Sequence, residues 1–197
     1  MAQMPKDQPA SFSVTKTEVP FVGRIWNIVR ETFDYNQQLL VREFVQHPGA
    51  VAILAIDESQ RVLLIRQYRH PVRSYLWEIP AGLLDVPGEP RIDAAKRELL
   101  EETGYEAASW SELTSFMTTP GGNDEVITIF LARDLKHVGH NLELEGEETD
   151  MLVEWFPLAE ALDSVLAAEI KSPSAVVGIM AAAFQLGASP GKSPSKS

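Results

Sequence analysis

No cysteine occurs in the 197 residues, which removes disulfide staples, thiol nucleophiles and Cys-ligated zinc from consideration. No apolar run approaches the roughly 18 residues that a bilayer-spanning helix needs. Basic residues are scarce as well: 17 Lys plus Arg stand against 28 Asp plus Glu, a formal net charge of −11. Nucleic-acid grooves and membrane-surface proteins usually need a basic excess, so both classes are disfavoured. Met1 to Ala10 lacks the basic-then-apolar order of a secretory signal, and the expectation is a soluble cytoplasmic protein. The four histidines, His47, His70, His137 and His140, show no zinc spacing and receive no catalytic role. What is present is a globular composition, 45% hydrophobic and 23% charged, with enough apolar residues for one well-buried core.

Hydrophobic patterning locates the elements. Residues 22–30 and 37–46 read as strands of a hairpin turning at Asp34 to Asn36. GAVAILAI (49–56) and RVLLIRQY (61–68) are almost continuously apolar and read as strands covered on both faces. Ile92 to Thr103 is helical, with Gly104 placed for a left-handed cap. Strands follow at 126–132 and 151–156, then helices at about 158–170 and 174–186. Strands before and after a central helix, with helices last, imply an α/β protein: a mixed sheet sandwiched by helices. The polar ends, residues 1–10 and 187–197, read as mobile tails. Residues 11–47 form an N-terminal antiparallel β extension and residues 48–186 the main domain.

The central helix carries the chemistry. Glu98, Glu101 and Glu102 stand at i, i+3 and i+4 and share one stripe, while Ile92, Ala95 and Leu99 form an apolar one. Like charges at this spacing cost a few tenths of a kcal/mol each. Beside turn formers at Pro80-Ala81-Gly82 and Pro87-Gly88, they offer hard oxygen ligands suited to Mg²⁺ or Mn²⁺. Arg97 is placed to orient a neighbouring carboxylate.

Gly82, Glu89, Arg97-Glu98, Leu99, Glu101-Glu102, Gly104 and Tyr105 together resemble the signature box of the Nudix hydrolases. One departure exists: six residues rather than five separate Gly82 from Glu89, a one-residue loop insertion that leaves the helical spacing intact. The resemblance implies an α/β/α Nudix sandwich that binds divalent metal through Glu98 and Glu102. Glu101 is implied as a further or bridging ligand, and the Ala81 carbonyl as completing a shell.

Pro120, in Thr119-Pro120-Gly121, stands 15 positions after Tyr105 and resembles the marker of the ADP-ribose pyrophosphatase subgroup. The following Gly122-Asn123 departs from the bulkier pair often found there. Gln67-Tyr68-Arg69-His70 and Leu76 to Gly82 also look like this subgroup. The resemblance implies substrate contacts from Arg69 and Arg42, with Trp26 available to stack on adenine and Asp124 and Glu125 to accept from ribose hydroxyls. It further implies a glutamate base on a loop, for which Glu148, with Glu147 beside it, is the choice within LELEGEETD (142–150). The implied reaction is metal-dependent hydrolysis of ADP-ribose to AMP and ribose 5-phosphate. Another nucleoside diphosphate sugar is the alternative substrate. A non-catalytic nucleotide sensor on the same fold is the rival class, disfavoured by the intact Arg97-Glu98 and Glu101-Glu102. The subgroup also implies a homodimer, with the N-terminal layer reaching the other subunit.

Overall fold

The computed structural model describes residues 4–139 and 151–191. The chain divides into two compact units. One is built from the chain up to His47 together with Thr119–Glu125, the other from Pro48–Thr118 and from Val126 onward.

The first unit is a three-stranded antiparallel sheet in the order β1 (Val14–Val22), β2 (Asn27–Tyr35) and β3 (Gln38–Gln46). β2 and β3 form a tight hairpin in which Tyr35 pairs with Gln38. Asn36 and Gln37 both adopt positive φ, 51° and 65°, the twist that a two-residue hairpin turn demands. The strand expected at 22–30 is interrupted. Gly23 donates its N–H to the Trp26 carbonyl at 2.9 Å, and a Cβ there would collide with that oxygen. This turn separates β1 from β2, and β1 itself is legible only as scattered exposed apolar residues. Residues 119–125 join the unit by backbone: the Val45 N–H donates to the Gly122 carbonyl at 2.9 Å, and the Asp124 N–H to the Val45 carbonyl at 3.3 Å.

The second unit holds β4 (Ala50–Ala55), β5 (Arg61–Arg69), β6 (Ser74–Glu78), β7 (Ala81–Leu83), β8 (Tyr105–Met117), β9 (Val126–His137) and β10 (Leu152–Pro157). Its helices are α1 (Arg91–Thr103), α2 (Leu158–Leu166) and α3 (Pro173–Leu186). One sheet runs β7-β4-β9-β8 and a second β10-β5-β6. β4 and β9 are parallel and the other pairs antiparallel, so the larger sheet is mixed.

Strand alternation explains the layering. Ala52, Leu54 and Ile56 point into one buried cluster with Leu158, Leu162 and Ile179 from α2 and α3. Val51, Ile53 and Ala55 point the other way, into a cluster with Ala94, Ala95 and Leu99 of α1. All six β4 residues are buried, which is why their sequence shows no polar alternation. The result is α/β/α, as the patterning implies. Burying each large side chain such as Leu54 or Leu99 contributes roughly 1.5–3 kcal/mol.

In the second unit, three strands escape the sequence pattern. β8 is mostly exposed or half-exposed, so its Ser, Glu and Thr residues mask the alternation. β6 and β7 are short and flank Pro80, which reads as loop. α2 ends at Leu166, short of the expected 170, where Ala168 turns to φ 58°.

At Gly178 of α3 an added Cβ would lie 3.1 Å from the Ile79 Cδ1 and 3.4 Å from the Leu54 Cδ1, so this helix packs closely on the sheet. Gly178→Ala gains about 1 kcal/mol of helix propensity against a mild crowding of side-chain tips and should be near neutral. Gly178→Leu should cost about 1–3 kcal/mol by overpacking. Urea denaturation of both variants measures the difference.

Candidate active site

α1 begins after Pro90 with no side-chain cap and ends at Gly104, whose φ of 69° lets its N–H reach the Leu100 carbonyl. Its inner stripe, Ala94, Ala95 and Leu99, is fully buried and fixes the rotation of the helix against the sheet. That rotation turns Glu98 and Glu102 toward β7, while Glu101 meets Arg97 on the helix surface.

Arg97 organises the cluster. Its Nε and Nη2 donate to the two oxygens of Glu89 at 3.1 and 3.0 Å, a fork-to-fork pair. Its Nη1 donates to Glu98 Oε1 at 2.5 Å and to Glu101 Oε2 at 3.1 Å. One guanidinium thus ties the loop to the helix, and the extra residue after Gly82 does not stop Glu89 from reaching it. Hydrogen bonding to Glu89 raises the Arg97 pKa well above its ordinary value, against the opposing effect of desolvation, so the guanidinium stays charged.

Glu98 sits against the main chain. A Cβ on Gly82 would overlap its carboxylate, so only glycine leaves room there. Its side chain is 14% exposed. Burial pushes its pKa up; Arg97 opposes this, while Glu101 and Asp85 add to it. Glu102 is 7% exposed, and its Oε2 accepts the Ala81 N–H at 2.9 Å. That bond docks the helix on β7 at Ala81.

Among the described residues no three acidic or imidazole groups already stand in a ligating arrangement, because Glu98 and Glu101 face Arg97 and Glu102 faces an amide. The donor set is nonetheless hard oxygen throughout, with one carboxylate raised in pKa by burial and by acidic neighbours. Such a set fits a divalent cation such as Mg²⁺ or Mn²⁺, which would compete with Arg97 for the carboxylates.

Arg69 ends β5 beside this strand segment. It is held by Glu78, donating from Nε at 3.2 Å and from Nη2 at 2.7 Å. The spacing of the sequence motifs does not reveal that partner, because Glu78 looks like a surface residue flanked by Trp77 and Ile79.

The remaining sequence candidates lie in the first unit. Trp26 is about half exposed, its ring 6.0 Å from that of His47. Asp124 accepts the His47 N–H at 2.8 Å, and Glu125 lies 3.5 Å from His47 Nε2. These two acids therefore help to fasten the 119–125 loop. Pro120 sits exposed in the turn that the Thr119 carbonyl closes by accepting the Gly122 and Asn123 N–H groups. Arg42, on β3, donates to the Val41 carbonyl at 2.8 Å. His47, given no role from sequence, emerges as the residue that Trp26 and Glu125 approach at the ring and Asp124 at the backbone N–H. Glu147 and Glu148 lie outside the described residues.

Replacing Arg97 by Met should leave Glu89, Glu98 and Glu101 without their shared cation. The expected loss is about 1–3 kcal/mol of stability in metal-free buffer. Arg97→Lys, which cannot make the fork, should recover only part of it. Denaturation midpoints in chelator report both values.

The NUDIX domain family model matches residues 46–175. The chain is 46% identical over 171 residues to the ADP-ribose pyrophosphatase of Mycobacterium tuberculosis (strain ATCC 25618 / H37Rv), covering 86% of this chain and 82% of that one. It is 38% identical over 165 residues to the methanol dehydrogenase activator of Bacillus methanolicus, covering 83% and 88%. In fold it matches the crystal structure of an ADP compounds hydrolase with a TM-score of 0.76 at 24% identity, over 92% of this chain and 97% of that one. With the domain spanning about two thirds of its length and its box folded around Arg97 and Gly82, the chain belongs to the Nudix hydrolase family.

Proposed function

We propose that this chain hydrolyses the diphosphate of ADP-ribose to AMP and ribose 5-phosphate in the presence of Mg²⁺ or Mn²⁺. The observation that carries this reading is the meeting of Glu98 and Glu102 with the β7 strand at Gly82 and Ala81, with Glu101 joined to Glu98 through Arg97, in a chain 46% identical to an ADP-ribose pyrophosphatase. Glu98 and Glu102, with Glu101 and the Ala81 carbonyl, would hold the cation. When bound, it supplies charge neutralisation and Lewis-acid polarisation of a phosphoryl oxygen.

The chain's own groups do the rest. Arg97 holds the glutamates in place and is not spent on substrate. Arg69 and Arg42 offer guanidinium forks to the diphosphate, and Trp26 an aromatic face to adenine. On sequence grounds Glu148, with Glu147 beside it, is assigned as the base that takes a proton from the attacking water. Pro120 shapes the substrate loop. Asp124 and Glu125, engaged with His47, serve that loop first and the ribose hydroxyls second. The second reading, another nucleoside diphosphate sugar, uses the same site with a different base or sugar.

A panel of nucleoside diphosphate sugars with Mg²⁺ tests this. ADP-ribose should give the highest kcat/KM, and equal efficiency with GDP-mannose or UDP-glucose would move the assignment to the second reading. Glu102→Gln should lower kcat by orders of magnitude. A loss below about tenfold, only about 1.4 kcal/mol of barrier, would remove Glu102 from the ligand set.

The N-terminal sheet exposes Phe21, Val22, Leu39 and Val41, apolar surface that a two-fold partner would cover. We infer a homodimer from it. Sedimentation at micromolar concentration should return about twice the 21.8 kDa chain mass, and a clean monomer with full activity would remove the dimer from the account.

A further inference from the structure

A cavity of about 370 Å³ lies between α2 and the β10-β5-β6 sheet, on the sheet face that turns away from α1. Alternation along β5 separates the two faces: Leu63 joins the cluster under α1, Leu64 the cluster under α2 and α3. The volume is at the lower end of the range for small-molecule sites. The floor of the cavity is aromatic. Trp77 of β6 and Phe156 of β10 come from the two strands that flank β5, and Leu64 lines the floor with them. Their rings meet edge to face, with centroids 5.0 Å apart and an interplanar angle of 78°, so the pair forms one continuous apolar surface.

The opposite wall is acidic. Glu160 and Ser164 stand at i and i+4 on α2 and share the stripe that lines the cavity. Glu169 is brought to the same cavity by backbone. α2 ends at Leu166, Ala168 turns the chain at φ 58°, and the Ser164 carbonyl accepts the N–H groups of Glu169 at 2.9 Å and Ile170 at 3.2 Å. Helix polarity accounts for Glu160, which lies in the first turn of α2. It does not account for Glu169, which lies past the C-terminal end, where an acid is disfavoured. Two carboxylates thus border one apolar cavity in a chain of net charge −11, and among the described residues no basic side chain lines it.

We propose that this cavity binds a small organic cation, an amine whose apolar body lies on the Trp77–Phe156 floor and whose ammonium group faces Glu160 and Glu169. Aromatic faces and carboxylates attract charge of the same sign, so floor and wall agree on one class of ligand. An anion would be repelled by both. A neutral apolar molecule would use the floor and leave the acids idle. A bare divalent ion would use the acids but gain no oxygen ligand from the floor. The site lies across the sheet from Glu98 and Glu102, so it stands apart from the hydrolytic reading of those acids.

The test is calorimetric titration of the full chain with benzylamine at neutral pH in chelator, with benzyl alcohol and benzoate as neutral and anionic counterparts of the same ring. Benzylamine should bind at one site and more tightly than either counterpart. Glu160→Gln combined with Glu169→Gln should weaken it by about tenfold, since each exposed charge pair contributes a few-fold. Both positions are exposed, so this variant keeps its fold. Trp77→Leu removes the aromatic face and should weaken benzylamine as well. Because Trp77 also packs against the core, the Trp77 indole resonance of the unaltered chain, shifted by benzylamine and not by benzoate, is the second readout of the floor. Glu102→Gln should bind benzylamine as the unaltered chain does. No binding at millimolar benzylamine, equal affinity for benzyl alcohol, or undiminished affinity in the double glutamine variant overturns the proposal. Loss of binding in Glu102→Gln overturns it too, by placing the amine at the α1 acids.

Discussion

A single guanidinium meets three carboxylates where α1 begins its last two turns, and the Arg97 contacts to Glu89, Glu98 and Glu101 set what the neighbouring parts can do. Carboxylates crowded onto one helix stripe repel, and burial makes the repulsion worse. Arg97 offsets both effects with four hydrogen bonds from a planar, permanently charged group. The remaining acid, Glu102, is engaged from the strand side, where its Oε2 accepts the Ala81 N–H. That backbone N–H keeps it at the strand end. The cluster is kept assembled and anionic, the state in which it is useful to a hard cation.

Packing makes this arrangement rigid. Leu99, Ala94 and Ala95 leave no free space beneath the helix, and Gly82 leaves none above Glu98. The carboxylates are clamped between a core that cannot shift and a strand that cannot grow a side chain. The same segment, residues 78–82, carries Glu78 on one side of Pro80 and the Glu102 anchor on the other. The carboxylate that holds Arg69 and the amide that holds Glu102 are therefore referred to one short piece of backbone, where a displacement of either would be felt by both.

The legibility of these features in the sequence follows their physics. Helix α1 and its acids were readable because the i, i+3, i+4 spacing and the cap glycine are local signals, and β4 and β5 because double burial writes a continuous apolar run. β8 was not, since half-exposed strands accept Ser and Thr on either face. Nor was the turn at Gly23, which depends on a hydrogen bond to the Trp26 carbonyl that leaves no room for a Cβ. At the site, Arg97 was identified as an orienting group from its position next to Glu98. The capture of Arg69 by Glu78 and the gathering of Trp26, Asp124 and Glu125 around His47 required contacts between residues far apart in the chain, which no local pattern encodes.

Gly82 and Gly88 lie six residues apart and differ completely in surroundings. The first has no room for a methyl group, while the second, with φ 80°, has nothing within 4 Å of where one would project. The chain between them is thus pinned at one end and slack at the other, and its additional residue relative to the usual box falls on that stretch without disturbing the grip of Glu89 on Arg97. For a protein engineer this distinguishes two kinds of position on one short stretch of chain. The solvent-facing turn at Pro87-Gly88 is the place to insert a reporter or lengthen a loop, whereas the strand at Ala81-Gly82 has no tolerance for insertion at all.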